Sequence, residues 1–162
     1  MNECAAITRA EFAAIIVRAL GLTGNGTKSE FKDVNPGDWY AGAVATAQEY
    51  GIVAGSEDGT FNPAKTITRE EAMIMIARAM KLAGLESSFS VAEADAMLSK
   101  FADRASVSVW AKQAVASMVK SGLVGGSNAG LQPKSNMTRA ESAVIIQRML
   151  ERAKLIDNKN FE

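Results

Sequence analysis

One tetrapeptide, written three times, constrains this chain more than any other feature: Thr8-Arg9-Ala10-Glu11, Thr68-Arg69-Glu70-Glu71 and Thr138-Arg139-Ala140-Glu141. Each copy has the form of a capping box. The threonine at N-cap accepts from the N3 amide, and the glutamate at N3 reaches back to the N-cap amide. A strongly apolar segment follows each copy. The first carries Phe12, Ile15, Ile16, Ala19 and Leu20, and Gly21 stops it. The second carries Met73, Ile74, Ile76 and Met80 before Gly84, and the third carries Val144, Ile145, Met149 and Leu150. Helices this apolar are buried ones. Three of them pack most simply as a central bundle, so the expected architecture is all-α and built from repeats.

A second block precedes the second and third helices. It runs Phe31-Lys32-Asp33, Trp39-Tyr40, a small-residue helix to Tyr50, Gly51-Ile52-Val53-Ala54-Gly55-Ser56, then Gly59-Thr60-Phe61-Asn62-Pro63. It returns as Phe101-Ala102-Asp103, Trp110-Ala111, a helix to Ser121, Gly122-Leu123-Val124-Gly125-Gly126-Ser127, then Gly130-Leu131-Gln132-Pro133. Trp39 and Trp110, Gly51 and Gly122, and Gly55 and Gly126 all keep one offset. Glycines 51 and 122 read as helix C′ positions. Ser90, with Glu93 three residues on, predicts an extra helix over 90–99. The chain divides as 1–24, the back half of a first repeat; 25–86, a second repeat; 87–100, a linker with the extra helix; 101–157, a third repeat; and a tail at 158–162.

This pattern resembles the S-layer homology (SLH) domain: Phe-x-Asp, Trp-Ala/Tyr, Gly-Ile/Leu-Val-x-Gly, Gly-x-Phe-x-Pro and Thr-Arg-Ala/Glu-Glu. The likeness covers Phe31 to Leu82 and Phe101 to Leu155, with a back half at Ile7 to Leu22. It implies an SLH-type pseudo-trimer, with a central three-helix bundle, short surface helices and glycine-rich loops. It also implies a non-catalytic anchor that holds an exported bacterial protein in the cell wall or S-layer. The partner implied is an anionic secondary cell-wall polysaccharide, commonly bearing pyruvate ketals, seated in grooves between repeats. Matching the family's motif residue by residue gives glycan-binding candidates Arg9, Arg69, Arg139, Trp39, Trp110, Gly55, Ser56, Gly126, Ser127 and Asn128. The first front half is missing from the pattern, so at most two pockets are expected to be complete. Either the sequence is a truncated piece of a longer one, or a second chain or a peptide supplies the third part. The competing function is a structural or protein–protein module of a surface-layer protein that binds no glycan.

The chemistry of the residues bears on the same sites. Arginine at N1 is unfavourable against the positive end of the helix dipole. An anion there would reverse the sign, because free amides, dipole and guanidinium all favour it. Alternatively, each arginine pairs with an acidic residue across a repeat interface. Arg18, Arg78 and Arg148 stand nine residues after the motif arginines, about half a turn away, and read as structural residues facing elsewhere. Gly55 and Gly126 suit ligand approach and tight turns equally. For Trp39 and Trp110, pinning the surface helix to the core is preferred to stacking on a sugar. Asp33 and Asp103 read as turn caps.

Composition excludes several classes. Eighteen basic residues balance eighteen acidic ones with no basic tract, which disfavours nucleic acid. Histidine is absent and Cys4 is the one cysteine, so histidine catalysis, disulfides and His/Cys metal centres are not expected. The stretch Ser56–Thr60 is poor in calcium ligands, and no cofactor or metal is expected. No apolar run reaches the roughly 18 residues of a membrane span, and the N-terminus lacks the pattern of a signal peptide. With the repeated glutamates engaged as caps, no carboxylate pair remains to suggest an enzyme.

Overall fold

The structure is a computed structural model describing residues 4–24, 29–85, 88–125 and 130–154. Its described residues are all-α. In chain order they form α1 (Arg9–Ala19), α2 (Ala41–Glu49), α3 (Arg69–Leu82), α4 (Val91–Leu98), α5 (Lys112–Lys120) and α6 (Arg139–Arg152). Two single 3₁₀ turns, Arg104–Ser106 and Val109–Ala111, lead into α5. The capping boxes are present on α1, α3 and α6, and Ser90 with Glu93 forms a fourth on α4. Gly51 and Gly122 follow the C-caps of α2 and α5 with φ of 74° and 75°, as expected for C′.

The three motifs meet in a cyclic arrangement. The residue before each motif threonine donates its amide to the next copy around a ring. Ile7 donates to the Met137 carbonyl (3.0 Å), Met137 to Ile67 (2.9 Å) and Ile67 back to Ile7 (3.0 Å). A second tier runs around the ring in the opposite sense: Arg9 donates to Lys65, Arg69 to Ser135 and Arg139 to Ala5, at 2.8–2.9 Å. These bonds occupy amides of the helix first turns and of the residues leading into them, groups that a lone helix end leaves to solvent. Ile7, Ile67 and Met137 are buried under them.

From this ring α1, α3 and α6 run together, each touching the other two. Phe12 and Ile16, Met73 and Ile76, and Ile145 and Met149 are buried in the common core. The surface helices add outer layers: α2 packs on α1, α5 on α3, and α4 on α5. Burial is narrower than the apolar sequences imply. Val144 is exposed and Ile74 half-buried, because both border surface grooves rather than the bundle axis.

The tryptophans depart from expectation. Trp39 and Trp110 are 63% and 64% exposed, so neither pins a helix to the core. Packing falls instead mainly to small residues, Ala41, Val44, Ala45 and Ala47 on α2, and Val115, Ala116 and Ser117 with Ala111 around α5, where Met118 is the one large buried side chain. The small residues let the helices approach closely and leave the indoles outside. Trp39 rests edge-on against Tyr40, centroids 5.3 Å apart.

The aspartates also differ from the local turn caps expected. Asp33 accepts the Phe61 and Asn62 amides at 2.9 and 2.8 Å. Asp103 accepts those of Leu131 and Gln132 at 3.0 and 2.8 Å. Each carboxylate thus clamps the far end of its own repeat, where Asn62 and Gln132 take left-handed φ of 59° and 49°. Two amides aimed at one carboxylate offset the strain of that conformation.

Candidate glycan-binding grooves between repeats

The motif arginines form a ring of ion pairs, Arg9 with Glu71, Arg69 with Glu141, and Arg139 with Glu11. Each glutamate divides its two oxygens. Oε1 accepts the amide of its own N-cap threonine, and Oε2 takes the arginine of another repeat. Arg9 also donates Nε to the Phe61 carbonyl (2.8 Å), and its guanidinium stands 5.0 Å from that ring's centroid. Arg69 donates Nε to the Leu131 carbonyl at 3.0 Å. The alternative weighed for these arginines, pairing across a repeat interface, is thus what the geometry contains. Their partners are the capping glutamates themselves.

Two equivalent grooves border these pairs. The first has a volume of about 510 Å³ and is lined by Arg9, the loop Val53–Glu57, Asn62, Lys65, Glu71, Ile74, Arg78 and Trp110. All three repeats contribute to it. The second, about 500 Å³, is lined by Arg69, Leu123, Val124, Gly125, Glu141, Val144 and Arg148 among others. The first groove therefore brings together Arg9, Gly55, Ser56 and Trp110 from the expected set. The second takes Arg69 without a tryptophan. Neither is lined by Arg139 or Trp39, and Gly126, Ser127 and Asn128 lie outside the described residues.

Gly55 has a reason of its own in the fold. Its φ is +72°, and a Cβ there would collide with the Phe31 ring and approach the Thr60 carbonyl at 3.0 Å. Phe31 in turn stacks on Phe61, centroids 5.3 Å apart. The turn thus requires glycine whether or not a ligand binds. Ser56 is exposed on the same loop, and its amide donates to the Thr60 carbonyl at 2.9 Å.

Arg78 and Arg148 are groove residues, contrary to the expectation that they face elsewhere. The half-turn argument compared arginines on one helix. The groove lies between repeats, so the arginine opening one buried helix shares it with the arginine near the end of another. Arg78 Nη1 donates to the Ile52 carbonyl at 3.3 Å and Arg148 Nη1 to Leu123 at 3.0 Å. Neither forms an ion pair among the described residues. Burial pushes the Arg78 guanidinium below its ordinary value, the direction expected of a cation without an anion beside it. In the first groove Glu71 matches Arg9, leaving Lys65 and Arg78 against Glu57. The useful signal in the sequence was repetition at a fixed place on three buried helices, for Arg18, Arg78 and Arg148 alike.

Carboxylates at these sites are held ionised. Burial raises Glu11, Glu70 and Asp103, but their hydrogen bonds outweigh it: from Arg139 and Thr8, from Lys134 and Ser108, and from the Leu131 and Gln132 amides. All three end below their ordinary values of 4.5, 4.5 and 3.8. A lowered folded pKa contributes stability that is complete above the unfolded value and lost as pH falls through the folded one. Thermal melts should hold steady above about pH 4.5 and fall progressively below it. Asp103→Asn should flatten that acid limb, and an unchanged slope would contradict the role given to Asp103.

Among the described residues no cluster of acidic or cysteine side chains could hold a metal ion, and no helix is long and apolar enough to cross a membrane.

Comparison with known proteins agrees with this architecture. The family model described as S-layer homology domain matches residues 30–73 and 100–143, together more than half of the chain. The chain is 41% identical over 149 residues to an amylopullulanase of Thermoanaerobacterium thermosulfurigenes, covering 91% of itself and 8% of that protein. It is 37% identical to the surface-layer 125 kDa protein of Lysinibacillus sphaericus, covering 93% of itself and 12% of that protein. It is 32% identical to a cellulosome-anchoring protein of Acetivibrio thermocellus, covering 92% of itself and 33% of that protein. The chain thus spans a third or less of these curated relatives. With its repeated blocks, its ring of capping motifs and these matches, the chain belongs to the S-layer homology domain family.

Proposed function

We propose that the chain is a non-catalytic anchoring module of a bacterial cell-surface protein. It binds secondary cell-wall polysaccharide through carboxylates, those of pyruvate ketals, in the grooves between repeats. One observation carries this reading: the first groove sets Arg78, a cation with no ion-pair partner among the described residues, beside an exposed indole, Trp110. A carboxylated sugar has matching parts, an anion for the guanidinium and a C–H face for the ring. Arg9 holds Glu71 already, so its part is to border the site with its remaining N–H groups. The Gly55-Ser56 loop presents exposed backbone and a hydroxyl at the groove's edge. Relatives named as a surface-layer protein and as a cellulosome-anchoring protein support a location at the cell surface.

Calorimetry with purified pyruvylated wall polysaccharide, and with the same polymer stripped of pyruvate, tests the proposal. The pyruvylated polymer should bind and the stripped one should not. Arg78→Ala should weaken binding about 10- to 100-fold, the loss of one charge-assisted contact. Equal binding of both polymers would remove the carboxylate from the account. Binding of neither would leave a protein–protein module.

A further inference from the structure

The second motif differs from the others at one position. Where the first and third carry Ala10 and Ala140, it carries Glu70, and that carboxylate is 2% exposed. A buried carboxylate is costly unless it is fully paired. Glu70 is paired by two segments of the third repeat. Its Oε2 accepts the Ser108 amide at 2.9 Å, and its Oε1 accepts the Ser108 hydroxyl at 2.7 Å and an ion pair from Lys134. Lys134 also donates to the Ser108 hydroxyl, and its ammonium stands 5.7 Å from the Trp110 ring centroid. Ser108 is the N-cap of the 3₁₀ turn Val109–Ala111. The buried carboxylate therefore holds, from beneath, the turn that carries an exposed indole.

The other repeats lack these parts. The residue two before Trp39 is Gly37, and Ala64 stands after Pro63 as Lys134 stands after Pro133. We infer that Glu70 is a positioning residue: with Ser108 and Lys134 it fixes Trp110 at the rim of the first groove, so that the ring meets a sugar face in one set orientation. This inference rests on the glycan-binding reading. An exposed tryptophan free to change rotamer would lose orientational entropy on stacking, and a pre-set one loses less. The clamp distinguishes the first groove from the second, which has no tryptophan among its lining residues.

The test uses a parent chain carrying Trp39→Phe, in which Trp110 is the one indole, with every comparison made within that background. Tryptophan anisotropy reports ring mobility, and titration with purified pyruvylated wall polysaccharide reports affinity. Trp110→Ala should weaken binding about twofold to tenfold. Glu70→Ala should lower the Trp110 anisotropy and weaken binding to a similar degree. In a chain already lacking Trp110, Glu70→Ala should leave affinity unchanged, a dependence that general destabilisation would not produce. Glu70→Gln, which keeps an acceptor for Ser108 but loses the ion pair, should fall between. If Glu70→Ala loses helical signal in circular dichroism, Ser108→Ala and Lys134→Ala carry the same expectation. Parent-like anisotropy and affinity in Glu70→Ala overturn the inference, and so does equal weakening with and without Trp110. If Trp110→Ala binds as the parent does, the groove reading fails, and it is told apart because Glu70→Ala still loosens the ring.

Discussion

Phe61→Ala should cost the fold about 3–5 kcal/mol, the range for removing a buried phenylalanine. At this chain length that lowers the melting temperature by roughly 6–20 °C. The side chain is fully buried and stacks on Phe31. Its backbone is as engaged as its ring: the amide donates to Asp33, and the carbonyl accepts from Arg9. The guanidinium of Arg9 stands against the same ring. One residue thus joins the start of its own repeat to the first motif. Truncation leaves a void beneath the ion pair of Arg9 with Glu71, and the surrounding backbone, held by Asp33 and the left-handed Asn62, has little freedom to collapse into it. Leu131, in the corresponding place, is buried too, but it is the smaller side chain and has no ring to stack. Its truncation should therefore cost less, about 2–4 kcal/mol. Denaturant melts of both variants decide the matter. A loss below about 1 kcal/mol for Phe61→Ala would mean that this joint carries no particular share of stability.

What was legible in the sequence follows from the range of the interactions. The caps were local: threonine and glutamate three residues apart meet across one helical turn, whatever surrounds them. The Ser90–Glu93 box was read in the same way. The three apolar helices behind those caps then pointed to a central bundle, and the family pattern agreed with it. The partners of the motif arginines were not legible, because Glu71, Glu141 and Glu11 come from other repeats, brought near by the ring of bonds at Ile7, Ile67 and Met137. A glutamate explained as a cap also conceals its second oxygen. The tryptophans were misread from size alone. The alanines of α2 and α5 were the better sign, since a helix packed by small residues approaches closely and leaves no room for an indole beneath. Glu70 was absorbed into the motif, although the capping position is Glu71. Its difference from Ala10 and Ala140 was the available signal.

The ring also alters the chemistry assigned to the motif. A cation at N1 is unfavourable for an isolated helix. Here the capping glutamate of another repeat sits beside it, so the arginine meets an anion without any ligand. The motif therefore explains assembly first. The arginines near the helix ends, tied to single carbonyls, are the ones on which the proposed binding draws.

Arg69→Met should accordingly act on stability before it acts on binding. The Arg69 side chain is 15% exposed, and its guanidinium joins Glu141 to the Leu131 carbonyl. Burial pushes it down from its ordinary value while the nearby Asp103 pulls it back, as expected of a cation relying on protein partners. Removing it leaves the Glu141 oxygen without its guanidinium and the carbonyl without its donor. Losing one partner of a fully buried pair costs about 3–5 kcal/mol. Glu141 is 36% exposed and recovers part of this from water, so about 2–3 kcal/mol is expected. Glu141→Gln should cost less, because the amide oxygen can still accept from the Thr138 amide. The double variant separates the two roles. If the ion pair joins the repeats, Arg69→Met should cost about 1–2 kcal/mol less in the Glu141→Gln chain than in the parent. Additivity within about 0.5 kcal/mol would mean that the arginine works through the Leu131 carbonyl alone.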